Sequence, residues 1–275
     1  MHKVIDLYKE FNLERKENQR GILHLFTKEN SIEINPEREY PAMLIFPGGG
    51  YEYTSDRESE PIALEFSNRG FVTAYLEYTV KQIDNYLVVL KEAELALAYL
   101  KEHFKELNIR KDKIAAIGFS AGGHLLGLLS TINIEEAKLI GYDYRPDYSI
   151  FAYPVISNDK EIAHCTSILT LNEKLNDERV SIDKRVDKDM PKSFVFTTLD
   201  DGVVPHENSL RLIKAFEENH IEYEFHMFPK GIHGCSLADD RVYKTRDVTP
   251  NMKLLREWVN LASISLELYG FTTID

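Results

Sequence analysis

The chain has 275 residues, 43% of them hydrophobic and 28% charged, enough for one large soluble domain or two small ones. Its 33 Lys and Arg against 45 Asp and Glu leave a formal charge of −12, which argues against a nucleic-acid binder and, mildly, against strongly anionic polymers as substrates. Cys165 and Cys235 are too few for a disulfide framework and are expected as reduced, mostly buried thiols.

The opening MHKVIDLYKEFNLERKENQR is charged throughout and lacks the apolar core of a signal peptide, so a cytoplasmic location is expected. Strand signals begin with ILHLFT (22–27) and SIEIN (31–35), read as an antiparallel entry, followed by AMLIF (42–46), which ends in PGGGY. A helix near 58–69 stops at Gly70, and FVTAYLEY (71–78) follows as a strand. Leu90, Ala93, Leu97, Leu100 and Phe104 recur at spacings of three and four, predicting a long helix over roughly 84–104. KIAAIGF (113–119) reads as a strand running directly into Ser120, and 121–130 as a buried helix.

Strand YSIFAYPVI (148–156) comes next, then a polar segment 157–190. Strand SFVFTTL (193–199), helix 207–219, strand EYEFHMF (222–228) and a last helix over about 250–268 complete the chain. There is no internal repeat. The alternation predicts a single α/β domain over 1–275: a mostly parallel central sheet flanked by helices, with no large cap domain. The segment 157–190 is too polar and short to be a domain and is expected as a flap at the sheet's C-terminal edge, where loops build sites. The stretch 114–130 lacks formal charge, but its glycines and His124 interrupt it, and a spanning helix wants about 20 predominantly apolar residues, so no membrane association is expected.

The pentapeptide Gly118-Phe119-Ser120-Ala121-Gly122 has the G-x-S-x-G form in which a strand turns sharply into a helix and exposes a serine nucleophile. Small residues flank the serine because the turn brings backbone segments together, and the helix directs its N–H groups and positive dipole end at the serine oxygen. A serine hydroxyl needs a base, and the base an orienting acid. LDDGVVP (199–205) and KGIHGCSL (230–237) each follow a strand, so their acid and histidine lie on the same sheet edge as Ser120. Of nine histidines, His233 alone has flanking glycines and a post-strand position; His206 follows the acid too closely, and His124 sits on the helix after the serine, where packing or hydrogen bonding is expected. Ser120, Asp201 and His233 fit in order and placement, with Asp200 adjacent. The PGGGY glycines (47–51) lie where a second oxyanion donor is supplied, because backbone N–H groups approach an oxyanion unhindered by a Cβ. Gly49 and Gly50 are expected as donors with the Ala121 N–H, the register among the three glycines being open.

PGGGY (47–51), GFSAGGH (118–124), LDDGVVPHENSL (199–210) and GIHGCSL (231–237) together resemble the acetylesterase and acetyl-xylan-esterase-like branch of the α/β-hydrolases, distantly related to hormone-sensitive-lipase-type esterases. The lipase-type relatives carry histidine before the glycines and an acid before the serine; Pro47 and Phe119 stand here, which fits the sugar-esterase branch better. The resemblance implies a serine esterase removing acetyl groups from acetylated sugars or oligosaccharides, with no cofactor. It also implies Asp201 as the acid, since Asp201 opens a D-x-x-V-P pattern as the triad acid of related hydrolases does. Tyr51 and Tyr53 are candidates to line the acyl or sugar site or to be buried loop aromatics, and His164 to reach the site as a polar contact. No metal is expected, because His233 and Cys235 do not supply three or four convergent ligands. A small peptidase and a non-catalytic binding protein of the same fold are the alternatives; a homo-oligomer is admitted but not specified.

Overall fold

Apolar runs with β-branched and aromatic residues form the strands. In the computed structural model, which describes residues 1–244 and 247–274, they are β1 His2–Asp6, β2 Ile22–Phe26, β3 Tyr40–Phe46, β4 Val72–Glu77, β5 Ile109–Phe119, β6 Tyr148–Ala152, β7 Ser193–Thr198 and β8 Tyr223–Phe228. They make one sheet in the order β1-β2-β4-β3-β5-β6-β7-β8, antiparallel at β1/β2 and β2/β4 and parallel from β4 onward.

The helices are α1 Leu7–Glu10, α2 Glu60–Asn68, α3 Tyr86–Glu102, α4 Ala121–Ser130, α5 Ile134–Ile140, α6 Cys165–Thr170, α7 Ile182–Arg185, α8 Glu207–Glu218, α9 Pro250–Leu255 and α10 Trp258–Leu268. Alternate residues of each central strand face opposite layers. Leu44, Phe46 and Ala116 pack in a core with α3, α4 and α8, whereas Met43, Ile45, Ile117 and Phe119 pack in a second core with α2, α9 and α10. Burial on both faces explains why AMLIF and KIAAIGF read as continuous apolar runs instead of alternating ones.

The expected strand SIEIN is instead a turn: the Ile34 and Asn35 N–H groups donate to the Ser31 carbonyl, and Ile32 is 92% exposed. It cannot pair with β2, because both edges of β2 are taken, by β4 and by an unexpected strand, β1. The last predicted helix is divided into α9 and α10. Cys165 is exposed and only Cys235 is buried, both as free thiols; Cys165 opens α6 on its open side, while Ser167 and Ile168 face inward. No helix among the described residues is long and apolar enough to cross a membrane.

Segment 157–190 contains α6, a short 3-10 turn Glu178–Val180, and α7. Its later half is fastened to the body: Arg185 pairs with Glu136 of α5 at 2.7 Å, with both side chains almost fully buried, and Ile182 fills the space where a Cβ on Gly127 of α4 would lie. Only the earlier half overlies the site.

Candidate active site

The sheet order places the loops after β3 and β5 on either side of a topological switch point, because the chain leaves β3 toward β4 on one side and returns to β5 on the other. Open α/β sheets form their ligand crevice there, beyond the C-terminal strand ends. Ser120 links β5 to α4 with φ 52° and ψ −116°, a conformation that a non-glycine residue keeps only when its surroundings enforce it. Three backbone bonds do so: the Ser120 N–H donates to the Ala152 carbonyl, and the Val155 and His124 N–H groups donate to the Ser120 carbonyl, at 3.0 to 3.2 Å. A Cβ on Gly118 would lie 2.3 Å from the Gly122 carbonyl oxygen, and one on Gly122 would lie 2.1 Å from that of Phe46. The two glycines therefore let α4 start directly against the end of β3.

Asp201 follows β7 and His233 follows β8, and the structure brings both to Ser120. His233 Nδ1 is 2.7 Å from Asp201 Oδ2, and His233 Nε2 is 2.8 Å from Ser120 Oγ. A carboxylate only accepts, so Nδ1 carries the proton and Nε2 is left to accept from the serine hydroxyl. The Asp201 side chain is 1% exposed, and its other oxygen accepts from the Val203 and Val204 N–H groups at 2.9 and 3.0 Å. Asp200 turns away: it accepts from the Gly231 N–H at 2.9 Å and pairs with Lys230, and these partners hold its carboxyl below the usual range.

In the glycine loop, the Gly48 N–H donates to Glu58 Oε2 at 2.8 Å. Among the described residues no acceptor takes the N–H groups of Gly49, Gly50 or Ala121. Gly49 (φ 123°) and Gly50 (φ 63°) adopt backbone that favours glycine, and a Cβ on Gly49 would collide with the Tyr53 carbonyl at 2.0 Å. Gly49, Gly50, Tyr53, Ser120, His164 and His233 line one pocket of about 280 Å³, with Glu52, Arg57 and Glu58 adding charge to its wall.

Tyr51 is not in that wall. It is fully buried, and its hydroxyl donates to His124 Nδ1 at 2.9 Å, while His124 Nε2 donates to the Val180 carbonyl at 2.8 Å. Burial pushes the His124 imidazole down to about 4, so it serves as a neutral link between the glycine loop, α4 and the 157–190 segment. His164 does reach the pocket. Its Nδ1 accepts from Ser167 Oγ at 2.8 Å and from the Ser167 N–H, leaving Nε2–H as its remaining donor; burial, then repulsion from His233, lowers its basicity. Arg57 and Glu58 went unforeseen, because SDRESE has no motif form and they reach the pocket only through the 3-10 turn Asp56–Glu58. No cluster of three or more metal-ligating side chains occurs among the described residues.

A profile of the BD-FAE family matches residues 32–152. Endo-1,4-beta-xylanase B of Butyrivibrio fibrisolvens is 32% identical over 221 residues, which are 76% of this chain and 34% of that protein. Acetylxylan esterase of Xylanibacter ruminicola is 28% identical over 202 residues, 70% of this chain and 40% of that protein. The chain thus spans well under half the length of these curated relatives. Solved structures match nearly end to end, two of them at 30% identity or more. An alpha/beta hydrolase enzyme from a Medee basin deep-sea metagenome library superposes with TM-score 0.79 at 31% identity, covering 98% of this chain and 97% of that one. An acetyl ester-xyloside bifunctional hydrolase from Caldicellulosiruptor lactoaceticus superposes with TM-score 0.80 at 30% identity over the same shares.

Proposed function

The chain belongs to the α/β-hydrolase family of enzymes, and from that premise we propose that it is a serine esterase cleaving acetyl esters carried by sugars or short oligosaccharides. The observation that carries the reading is the unbroken hydrogen-bond chain from Asp201 through His233 to Ser120, opening on a pocket with unclaimed backbone N–H groups. Ser120 Oγ attacks the acetyl carbonyl as His233 Nε2 takes its proton, and the tetrahedral oxyanion accepts from the N–H groups of Ala121 and of Gly49 or Gly50. Gly48 is excluded as a donor, because Glu58 holds its N–H. The imidazolium returns the proton to the departing sugar alkoxide, and water then cleaves the acetyl-enzyme by the same route.

The carbohydrate half of the reading is supported by the charged and polar pocket wall and by the relatives named for acetylxylan and acetyl ester-xyloside hydrolysis. A peptidase that captures a substrate amine would need a free acidic clamp. Of the two glutamates in this pocket wall, Glu58 has both oxygens occupied, by Gly48 and by Tyr153, and Glu52 accepts from the Thr170 hydroxyl.

The test is acetate release from a panel of acetylated oligosaccharides and an aryl acetate, with Ser120→Ala as control. We expect release by the wild type and a loss of about 10³-fold or more in the variant. Turnover by a folded Ser120→Ala protein equal to wild type would remove Ser120 as nucleophile.

A further inference from the structure

Glu58 is a carboxylate only 2% exposed on the wall of the active pocket, and it has no part in the reaction as derived above. Its Oε2 accepts from the Gly48 N–H at 2.8 Å, at the head of the glycine loop. Its Oε1 accepts from the Tyr153 hydroxyl at 2.7 Å. That hydroxyl in turn accepts from the Ser236 N–H at 3.0 Å, and the Tyr153 ring stands edge-on to the His233 imidazole, with centroids 5.1 Å apart. Ser236 is fixed again by its hydroxyl on the Arg57 carbonyl and by the Trp258 indole N–H on its own carbonyl. One side chain therefore spans the two loops that must keep register for catalysis. Accepting at both oxygens is what an ionised carboxylate does.

We infer that Glu58 is a positioning residue of the proposed esterase: it fixes the oxyanion loop against the histidine loop. The inference rests on the esterase reading. An oxyanion donor and a general base act together only if their separation is held to a fraction of an ångström. Free loops would each relax toward water, and the Gly48–Glu58–Tyr153–Ser236 chain prevents that.

Glu58→Gln replaces one accepting oxygen with a donating amide, so the Tyr153 hydroxyl loses its acceptor. Glutamine keeps the volume: its oxygen accepts from Gly48, and its amide donates to the Tyr153 oxygen.

The experiment compares wild type, Glu58→Gln, Tyr153→Phe and the double variant, with circular dichroism as folding control. Acetyl-ester kinetics are read in each. We expect Glu58→Gln to lower kcat by about 10- to 100-fold with KM nearly unchanged. Tyr153→Phe should lower kcat less, and the double variant should resemble Glu58→Gln, because the two residues act through one chain. Unchanged kcat in Glu58→Gln, or effects of the two substitutions that multiply in the double variant, would overturn the inference. If Glu58→Gln does not fold, Tyr153→Phe decides: reduced kcat at constant KM supports the chain, and wild-type kcat overturns it. A wild type that releases no acetate overturns the esterase reading, while the rate at which a serine-directed phosphonate labels Ser120, which needs no ester substrate, still tests Glu58: an unchanged rate in Glu58→Gln overturns its role.

Discussion

Asp200 and Asp201 stand side by side at the end of β7 and face opposite ways. Asp201 gives one oxygen to His233 and the other to the turn N–H groups, whereas Asp200 ties its loop to Gly231. An amide at 201 would keep the turn bonds but present the wrong partner to Nδ1–H, so Asp201→Asn should cost on the order of 10³ to 10⁴ in kcat. Asp200→Asn should keep most of the activity; its own carboxylate is in solvent. Measuring kcat/KM for both settles the assignment, and a crippled Asp200→Asn beside a near-normal Asp201→Asn would reverse it. At this scale, Ser120 and His233 were legible in the sequence because their neighbours are glycines that only a sharp turn requires. Tyr51 and Tyr53 were not separable. Positive φ at Gly49, Gly50 and Tyr51 breaks the alternation that tells inward from outward, sending Tyr51 into the core and Tyr53 to the pocket.

The contact between α4 and the end of β3 is backbone on backbone. Gly122→Ala must push a methyl into the Phe46 and Pro47 carbonyls, at 2.1 and 2.5 Å. No flexible side chain is there to yield, so the substitution should destabilise the fold by about 3 kcal/mol or more and shift the loop that follows Pro47. Urea unfolding together with kcat would check both effects. On α3, two buried carboxyls give a pH signature. Glu94 has one oxygen on the Tyr144 N–H and none on the other, and burial pushes it up to about 8. Glu92 is pushed up to about 7 by burial, against hydrogen bonds donated by Thr79 and Tyr8. Both titrate lower in the unfolded chain, so the folded state holds the extra protons between about pH 4.5 and 8, and stability falls as pH rises through that window, by at most ~1.4 kcal/mol per unit for each group. Glu94→Gln should flatten the upper part, between pH 7 and 8, as read from urea midpoints; an unchanged slope there would mean that Glu94 is already ionised. The amphipathic and doubly buried elements were readable in the sequence because their patterns are long. SIEIN has the right alternation but finds both edges of β2 occupied, and β1 pairs there without a strong pattern. The short α5 carries its sequence signal in its cap, where Asn133 and Glu136 form a capping box.

Taken as a whole, the molecule puts an acidic, largely parallel scaffold beneath a small pocket with charged side chains in its wall. The pocket holds about 280 Å³ and its wall includes Glu52, Arg57, Glu58 and His164, so a long acyl chain would have to displace water from charged groups without finding an apolar tunnel. Acetyl esters should therefore be preferred over butyryl, and octanoyl esters should be poor. Higher kcat/KM on an aryl octanoate than on the acetate would contradict this directly. The two halves of segment 157–190 divide the labour at this scale: Val180, Ile182 and Arg185 are anchored to the body, and the stretch carrying His164 and Thr166 covers the pocket.

The two thiols differ in reach. Cys235 is enclosed beneath the histidine loop, while Cys165 is exposed immediately after His164, at the first turn of α6. A thiol-directed fluorophore or spin label would thus attach at a single place without any mutagenesis, on the rim of the pocket and beside a residue of its wall. The chain carries its own attachment point for an optical or magnetic readout of substrate entry, on the stretch that covers the pocket.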